Sequence, residues 1–257
     1  MIADFSRKHL DFHDTPRAMV AMEVDYPDGA TTGWHAHPRG QLLYAIEGVM
    51  IVQSAQGYWV VPPNRALWLV AGVEHHVRMS GQVKIRTVFI DTTKIQHLPE
   101  QTCVIKVPPL LRELIVAAVR IPLDYSEDSK DAILMRLLAE VVQVSDVLPL
   151  HLPLPSEPRV KFICESISRH PCDVSTASEW AKRLNVTAKT VHRLFVKETG
   201  MTFAQWREQA RLVYALQRLA GGERVIDVAF ECGYSSQSAF TAMFRRHFGV
   251  PPSNFYR

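Results

Sequence analysis

The chain changes its pattern of hydrophobic and polar positions twice. Over residues 17–91, short runs of β-branched and aromatic residues alternate with Gly, Pro and Asn, as in AIEGVMIVQSAQGYWVVPPNRALWLVAGVEHHV. Runs of this length between turn-forming residues are typical of antiparallel strands in a sandwich or barrel. The pattern therefore predicts an N-terminal β-barrel, which we place at residues 1–107.

A helical period replaces the strand period from Pro109 onward. Apolar residues recur every three or four positions in LLRELIVAAVR and again in DAILMRLLAEVVQV, which predicts two helices within residues 108–148. The second helix is apolar enough to need a partner. That partner is either the barrel of the same subunit or the same helix in a second copy, so the segment is also a candidate dimerisation element of a homodimer. Four prolines between Pro149 and Pro158 cannot continue a helix, and we place a linker at residues 149–157.

Residues 158–257 open with a predicted helix over Pro158–Arg169 and then contain one pattern of two short helices twice. The first copy is TASEWAKRLNVTAKTVHRLFVKETG, and the second, VIDVAFECGYSSQSAFTAMFRRHFG, follows about 49 residues later. In the first copy a capping box, a turn residue, a helix cap and a helix stop are expected at Thr176 with Glu179, Asn185, Thr187 and Gly200. In the second copy the corner, cap and stop are expected at Gly233, Ser236 and Gly249. Both copies are therefore predicted to be helix-turn-helix units.

A long helix is predicted between the two copies, over residues 202–220. Its inward positions are Phe203, Trp206, Ala210, Val213, Leu216 and Leu219. At 1.5 Å per residue the helix measures about 28 Å, close to the roughly 34 Å between successive major grooves on one face of DNA. Two recognition helices could therefore enter adjacent grooves. A single helix pair with a glycine corner also occurs in many enzymes, whereas a duplicated pair favours DNA binding.

Charge divides the chain in the same place. Before Pro158 there are 14 Lys and Arg against 18 Asp and Glu, and from Pro158 onward 15 against 8, so the parts carry −4 and +7. A basic half favours a polyanionic partner, although it also fits a well-solvated surface.

Composition sets the class of protein. The 47% hydrophobic and 21% charged content is ordinary for a globular chain and argues against long disorder or a fibrous repeat. The sequence contains neither the apolar run that a membrane-spanning helix needs nor an N-terminal signal peptide, so a cytoplasmic location is expected. The four cysteines form no CxxC pair, which indicates reduced thiols rather than a zinc knuckle or disulfide framework.

The second copy carries a specific family resemblance. It matches the pattern GYxSxSxFxxxFxxxxGxxP at Gly233, Tyr234, Ser236, Ser238, Phe240, Phe244, Gly249 and Pro252. The pattern then continues xxYR, and Tyr256 and Arg257 follow here one residue later. Residues 158–257 as a whole resemble the DNA-binding domain of the AraC/XylS family of transcriptional regulators. The match departs at Ala242, where an arginine is common in the family, so a phosphate contact is expected to be missing there.

The resemblance implies which side chains face DNA. On the first recognition helix these are Ala188, Lys189, His192 and Arg193, and on the second Ser235, Gln237, Ser238, Thr241 and Arg245. Arginine suits guanine and glutamine suits adenine, while short hydroxyl side chains fit phosphates or either base edge. Contacts to the DNA backbone are expected from Lys182, Arg183, Lys197 and Arg246. Any one of these residues is equally well explained as a solvated side chain without a role, but the two faces as groups favour DNA contact.

Histidines are concentrated in the predicted barrel. His35 and His37 are two apart, so both face one side of a strand, and Gln41 keeps the same parity. The set Gly33, His35, His37, Gln41 and Gly48 resembles the first cupin motif, in which a carboxylate stands at the position of Gln41. The second cupin motif is matched only at Val70, Gly72 and His75, and Met79 stands where asparagine is frequent. The resemblance implies a cupin-like double-sheet barrel.

Two interpretations of these histidines remain open. Imidazoles of His35, His37 and His75 with the amide oxygen of Gln41 could hold a divalent Zn, Fe, Mn or Ni ion, although an amide balances the metal charge less well than a carboxylate. Alternatively, the histidines form hydrogen bonds in a pocket for an organic effector, without metal. In either case aromatic walls are expected from Trp34, Tyr44, Trp59 and Trp68.

These features predict an α+β multidomain protein. A cupin-like β-barrel with trailing helices precedes an all-α domain of two helix-turn-helix units joined by a long helix. The expected function is that of a transcriptional regulator, not an enzyme, which binds specific double-stranded DNA and senses a small molecule or metal ion. RNA polymerase is a candidate partner, and no membrane association is expected. The alternatives are a cupin metalloenzyme of the oxygenase or isomerase class, which leaves the duplicated unit unexplained, and a ligand-independent repressor whose barrel only dimerises.

Overall fold

A computed structural model describes residues 12–143, 147–148 and 151–255. They divide into two compact units, one comprising most of the chain to Leu150 and the other comprising Gln56–Tyr58 with the chain from His151. None of the helices in these residues is long and apolar enough to cross a membrane. The prediction of an N-terminal antiparallel β domain followed by a helical domain is confirmed.

The first unit is built on antiparallel strands. The strands of the described residues are β1 (Met19–Tyr26), β2 (Gly40–Ser54), β3 (Gly57–Val61), β4 (Arg65–Leu69), β5 (His75–Ile90), β6 (Cys103–Lys106), β7 (Val147–Leu148) and β8 (His151–Pro153). The sheet order is β1-β5-β2-β4-β6-β7, with β3 paired to β2. The long pair of β2 and β5 shifts register between Ala45 and Val49. Such irregularities bend a strand and help a sheet to curl around a cavity.

A glycine fixes the place of this bend. Gly48 has a φ of 77°, and a Cβ atom there would lie 2.3 Å from the carbonyl oxygen of Gln82. A side chain therefore has neither the backbone conformation nor the space it needs at this position.

Two helices, α1 (Pro109–Ala118) and α2 (Lys130–Gln143), pack on one face of the sheet. Leu111 of α1 and Leu138 of α2 are fully buried in one cluster with Leu42 and Trp68 of the sheet. Of the two partners predicted for α2, the barrel of the same chain therefore covers its inner face. On the outer face Ile133 and Leu137 are 58% and 45% exposed, and dimerisation remains a prediction.

Helices make up most of the second unit. They are α3 (Pro158–Arg169), α4 (Ala177–Arg183), α5 (Ala188–Thr199), α6 (Phe203–Ala220), α7 (Val225–Glu231) and α8 (Gln237–Phe248), followed by a 3-10 turn at Pro252–Asn254. The helix α6 is central, because α3, α5 and α7 all contact it. The six inward positions predicted for α6 are all buried. The predicted bounds of the opening helix are confirmed, and the connecting helix begins one residue later than predicted, with Thr202 as its N-cap.

The described part of the predicted linker forms backbone hydrogen bonds. Residues 149–150 lie outside the described residues, but His151–Pro153 form β8, and the Leu154 N–H donates to the Gln56 carbonyl at 3.4 Å. Farther along, the Glu198 carboxylate accepts the backbone N–H groups of Ser156 and Glu157 at 3.1 and 3.0 Å. The prolines favour an extended backbone, as expected, and strand pairing and a side-chain acceptor satisfy its polar groups.

Candidate DNA interface and ligand cavity

The first helix-turn-helix unit, α4 and α5, is shaped by local hydrogen bonds. Thr176 Oγ1 accepts from the Glu179 N–H at 3.3 Å, and Glu179 Oε2 accepts from the Thr176 N–H at 2.6 Å, which confirms the capping box. Asn185 takes the left-handed conformation at the corner, with a φ of 54°. Thr187 caps α5, and Gly200 ends it with a φ of 69°. Each predicted signal therefore has its expected local structure.

The second unit, α7 and α8, repeats this design with a different corner residue. Gly233 has a φ of 76°, and a Cβ atom there would lie 3.1 Å from the Cys172 carbonyl oxygen. Ser236 caps α8 by accepting from the Ala239 N–H at 3.2 Å, and Gly249 ends the helix with a φ of 77°. The two units thus place a capped helix after a corner with positive φ.

Burial determines which face of each second helix is available. In α5, Val191, Leu194 and Phe195 are buried, and in α8 Phe240 and Phe244 are fully buried. On the opposite faces most of the predicted DNA-contacting side chains are exposed, namely Lys189, His192, Arg193, Ser235, Gln237, Ser238 and Arg245. Ala188 and Thr241 are only partly exposed. The predicted residues within α5 and α8 therefore lie on outward faces of these helices, and the exposed Ser235 precedes the N-cap of α8.

The exposed face of α5 contains a residue that the sequence analysis missed. Val196 is 51% exposed, one turn after His192 and beside Lys197. The sequence analysis gave no role to Val196, and the buried stripe of α5 passes through Val191 and Phe195. Residues on one helix face recur every three or four positions, and Val196 lies five positions after Val191 and one after Phe195. This spacing could have placed Val196 outside the buried face.

Two of the predicted backbone contacts have partners within the second unit. The Arg183 guanidinium lies 4.6 Å from the Trp180 ring centroid and donates to Ser175 Oγ at 3.0 Å. Arg246 pairs with Glu208, which also bonds His247 at 2.8 Å. Lys182 and Lys197 are exposed. Of the family signature, Tyr256 and Arg257 lie outside the described residues.

Polar side chains of α6 hold both helix-turn-helix units. Arg207 donates to the Ser175 carbonyl at 2.9 Å, just before α4. Near the other end, Tyr214 donates to Glu231 of α7 at 2.9 Å, and burial together with this hydrogen bond raises the pKa of Tyr214 to about 12. Tyr214 therefore stays a neutral donor over the physiological pH range. Sequence reasoning missed these contacts, because they join residues far apart in the chain.

In the first unit, three of the predicted ligating histidines come together. His35 and His75 face each other in an isolated antiparallel bridge, with N–H to carbonyl distances of 3.0 and 2.8 Å. One ring nitrogen from each of His35, His37 and His75 lies within 4.8 Å of the others. The expectation that the two nearby histidines share a regular strand is wrong, because Pro38 has no N–H to donate and β2 begins only at Gly40.

Hydrogen bonds orient the three rings. His35 Nδ1 lies 3.0 Å from the Gly33 carbonyl oxygen, and His75 Nδ1 lies 2.9 Å from the Val73 carbonyl oxygen. His37 Nδ1 lies 2.9 Å from Nε2 of His13. A neutral imidazole that donates through Nδ1 carries its lone pair on Nε2. The carbonyl partners at Nδ1 therefore favour Nε2 as the ligand atom of His35 and His75. His13 was missed because it lies 24 residues before His37, outside the motif.

Gln41 is fixed through its amide nitrogen. The residue is 5% exposed, and its Nε2 donates to Thr87 Oγ1 at 3.1 Å. Thr87 in turn donates to the Leu42 carbonyl at 3.1 Å. Gln41 Oε1 is buried and has no hydrogen-bond partner among the described residues. A buried acceptor in this condition is costly unless a ligand, ion or water satisfies it.

These residues border a cavity of about 590 Å³, including the part that is open to solvent. The described lining residues are Met22, Val24, Tyr26, Thr32, His35, His37, Gln41, Leu43, His75, Val77, Ile85, Thr87 and Phe89. None of these is Asp, Glu, Lys or Arg. The cavity therefore combines a largely apolar wall with one polar cluster, which is the usual composition of a small-molecule site.

The predicted aromatic walls are wrong. Trp34 is 52% exposed, and none of Tyr44, Trp59 and Trp68 lines the cavity. Alternation along β2 explains the error, since Gln41 and Leu43 face the cavity while Tyr44 faces the core beneath α1 and α2. The aromatic residues of the lining are Tyr26 and Phe89 instead.

Comparison with known proteins gives matches to both units. A model described as an AraC-like ligand binding domain matches residues 18–143, and one described as a helix-turn-helix domain matches residues 180–257. The chain is 32% identical over 228 residues to the HTH-type transcriptional regulator NimR of Escherichia coli, covering 89% of this chain and 83% of that protein. It is 34% identical over 103 residues to the HTH-type transcriptional regulator RipA of Corynebacterium glutamicum, covering 40% of this chain and 31% of that protein.

Solved structures also match over most of the chain. Fatty-acid-bound ToxT from Vibrio cholerae covers 95% of this chain and 96% of its own, at 11% identity and a TM-score of 0.38.

Proposed function

Because this chain belongs to the AraC family of transcriptional regulators, we propose that its paired recognition helices, α5 and α8, read two adjacent major-groove segments of one DNA site. The observation that carries the proposal is the pair of exposed polar faces on capped helices that are held by one connecting helix. Base readout is assigned to Ala188, Lys189, His192, Arg193, Ser235, Gln237, Ser238, Thr241 and Arg245.

The four side chains proposed to contact the DNA backbone fall into two pairs, according to whether they have partners within the protein. Lys182 and Lys197 are exposed and are assigned directly to phosphates. Arg183 and Arg246 contact phosphate only if they share or exchange their present partners, Ser175 and Glu208. Val196 is added to the interface, because an exposed apolar side chain on a recognition helix suits the methyl group of thymine.

The cavity of the first unit is proposed as the sensing site of the regulator. Its mixed lining supports a small-molecule or metal effector, and the exposed Ile133 and Leu137 of α2 support a homodimer. RNA polymerase is a proposed partner of the DNA-bound form. The comparisons match transcriptional regulators, which favours regulation over the alternative of a cupin oxygenase or isomerase.

Selection from a random DNA pool tests the DNA-binding proposal. Purified full-length protein, with and without added Zn²⁺, is expected to enrich one sequence with two conserved blocks whose centres lie about one helical turn apart. Enrichment that differs with the added ion supports sensing, whereas identical enrichment favours the ligand-independent repressor. Failure to enrich any sequence under both conditions would overturn the proposal.

A further inference from the structure

We propose that the polar cluster of the cavity is a site for a first-row divalent transition metal ion, and that this ion in turn binds a small organic anion with a short apolar body. The inference rests on the proposed sensing role of the first unit and names the chemistry of its effector. It draws on the donor set, the orientation of the rings and the charge of the cavity.

The donor set fits such an ion. Imidazole suits Zn, Fe, Ni and Cu ions, and one ring nitrogen from each of His35, His37 and His75 lies within 4.8 Å of the others. His35 and His75 both turn Nδ1 toward a backbone carbonyl. Carbonyl groups that accept from Nδ1 are the usual outer partners of metal-binding histidines. Bonds of about 2.1 Å hold two ligand atoms no more than about 4.2 Å apart. The ring nitrogens now lie within 4.8 Å of one another, so each ring must move by less than about 1 Å to reach a shared ion.

Gln41 supplies an independent indication of a ligand. Its Oε1 is buried and lacks a hydrogen-bond partner among the described residues, while its Nε2 is fixed by Thr87. A metal ion or a donor on the effector would satisfy this oxygen. The amide replaces the carboxylate of the cupin pattern, so the three imidazoles and one amide form an uncharged donor set.

The uncharged donor set determines the effector class. None of the described lining residues is acidic, so a bound ion would keep its double positive charge inside a cavity of low polarity. An unbalanced charge in such surroundings is costly, and an anion from solution removes the cost. Because Met22, Leu43, Ile85 and Phe89 form the wall beside the cluster, the anion is expected to carry a short apolar body.

Metal binding is tested first. Full-length protein freed of metal is titrated with Co²⁺, whose visible bands report its ligands, and Zn²⁺ is added in competition. One Co²⁺ per chain is expected, with affinity reduced by more than about 100-fold in His37→Ala, since removing a direct ligand costs more than removing an outer partner. His76→Ala is the matched control, because His76 adjoins His75 but does not line the cavity. Absence of stoichiometric binding, or equal affinity in His37→Ala and the parent protein, overturns the metal site.

The effector class is tested on the Co²⁺-loaded protein with butyrate and butyramide, which have similar size and differ in charge. Butyrate is expected to change the visible bands with saturation and butyramide to leave them unchanged. Gln41→Glu should retain Co²⁺ and lose the butyrate response, because its carboxylate supplies the missing charge. A response to both compounds or to neither, or an undiminished butyrate response in Gln41→Glu, overturns the anionic effector. These readouts involve no DNA, so their failure is distinct from a failure of the DNA-binding proposal.

Discussion

The two recognition faces differ in their side-chain chemistry. The face of α5 contains the cations Lys189 and Arg193, whereas the face of α8 begins with Gln237 and Ser238. Arginine can form two hydrogen bonds to guanine and glutamine two to adenine. The blocks read by the two helices are therefore expected to differ in sequence.

Single substitutions on these faces should reduce specificity. We expect Arg193→Ala and Gln237→Ala each to weaken binding to the selected site by about 1–3 kcal/mol, because each removes a paired contact to one base. Binding to random DNA should hardly change. Fluorescence anisotropy with both duplexes at one salt concentration measures the difference. Arg169→Ala is the control, since Arg169 is exposed on α3 and pairs with Glu165. Equal losses on both duplexes for Arg193→Ala would contradict base readout.

Glu208 links the connecting helix to the second recognition helix. Burial raises the pKa of Glu208, but hydrogen bonds from His247 and Arg246 outweigh burial and hold the pKa below its usual range. A carboxyl whose pKa is lowered by folding stabilises the protein above its unfolded pKa, and this contribution is lost as the pH falls through the folded value.

Glu208→Gln should therefore lower the free energy of unfolding at neutral pH by about 1 kcal/mol, a small value because the cluster is partly solvated. The difference from the parent protein should shrink below about pH 4.5, where the unfolded carboxyl also becomes protonated. Urea unfolding at pH 7 and pH 4 provides the measurement. Glu165→Gln, which breaks an exposed pair within α3, should change stability by less than about 0.5 kcal/mol. A loss in Glu208→Gln that is the same at both pH values would show that the ion pairs are not its cause.

At the scale of elements, the two corners use different residues for the same backbone conformation. Asn185 and Gly233 both have positive φ, at 54° and 76°. Asparagine tolerates this region better than most residues, but glycine has no penalty there. At Gly233 there is an additional constraint, because a Cβ atom would lie 3.1 and 3.2 Å from backbone atoms of Cys172.

Substitutions at the two corners should show this difference in tolerance. Asn185→Gly is expected to change the free energy of unfolding only slightly, whereas Gly233→Ala should destabilise the second unit by about 1–3 kcal/mol through backbone strain and close contact. Thermal unfolding of both variants gives the comparison. A neutral Gly233→Ala would mean that Cys172 moves freely and that the corner is not tightly packed.

The elements were predictable where their signals are local. Thr176 with Glu179, Asn185, Gly200 and Gly249 act through backbone groups within a few residues, so sequence alone placed these helix ends correctly. The histidine cluster was also found from its spacing, although the regular strand expected at His35 and His37 is not formed, because Pro38 interrupts pairing and β2 begins only at Gly40.

Features that depend on distant partners could not be derived in this way. His13 reaches His37 across 24 residues, and Tyr214 reaches Glu231 across 17. The position of Tyr44 away from the cavity depends on which face of β2 receives α1 and α2. Neither composition nor periodicity specifies which distant residues meet. The same alternating strand pattern also allows helices to pack on either face of the sheet.

At the scale of the whole molecule, we expect recognition of DNA to depend on α6 as a spacer. Its 18 residues form a continuous helix of about 27 Å, with a capping box at Thr202 and Gln205. Trp206 and Leu216 are buried, and contacts to α3, α5 and α7 hold both helix-turn-helix units along its length. Such a spacer cannot stretch or twist by much without breaking the core, so the distance between the two DNA blocks should be fixed.

DNA spacing variants test this rigidity directly. Two base pairs inserted between the selected blocks add about 7 Å and turn the second groove by about 70°, so the affinity should fall to that of a single block. Ten inserted base pairs restore the face of the helix but add about 34 Å, which α6 cannot span, and the affinity should remain low. A flexible connection would recover binding with ten base pairs but not with two. Gel-shift titrations at fixed salt distinguish these cases, and recovery with the longer insertion would show that α6 does not set the spacing.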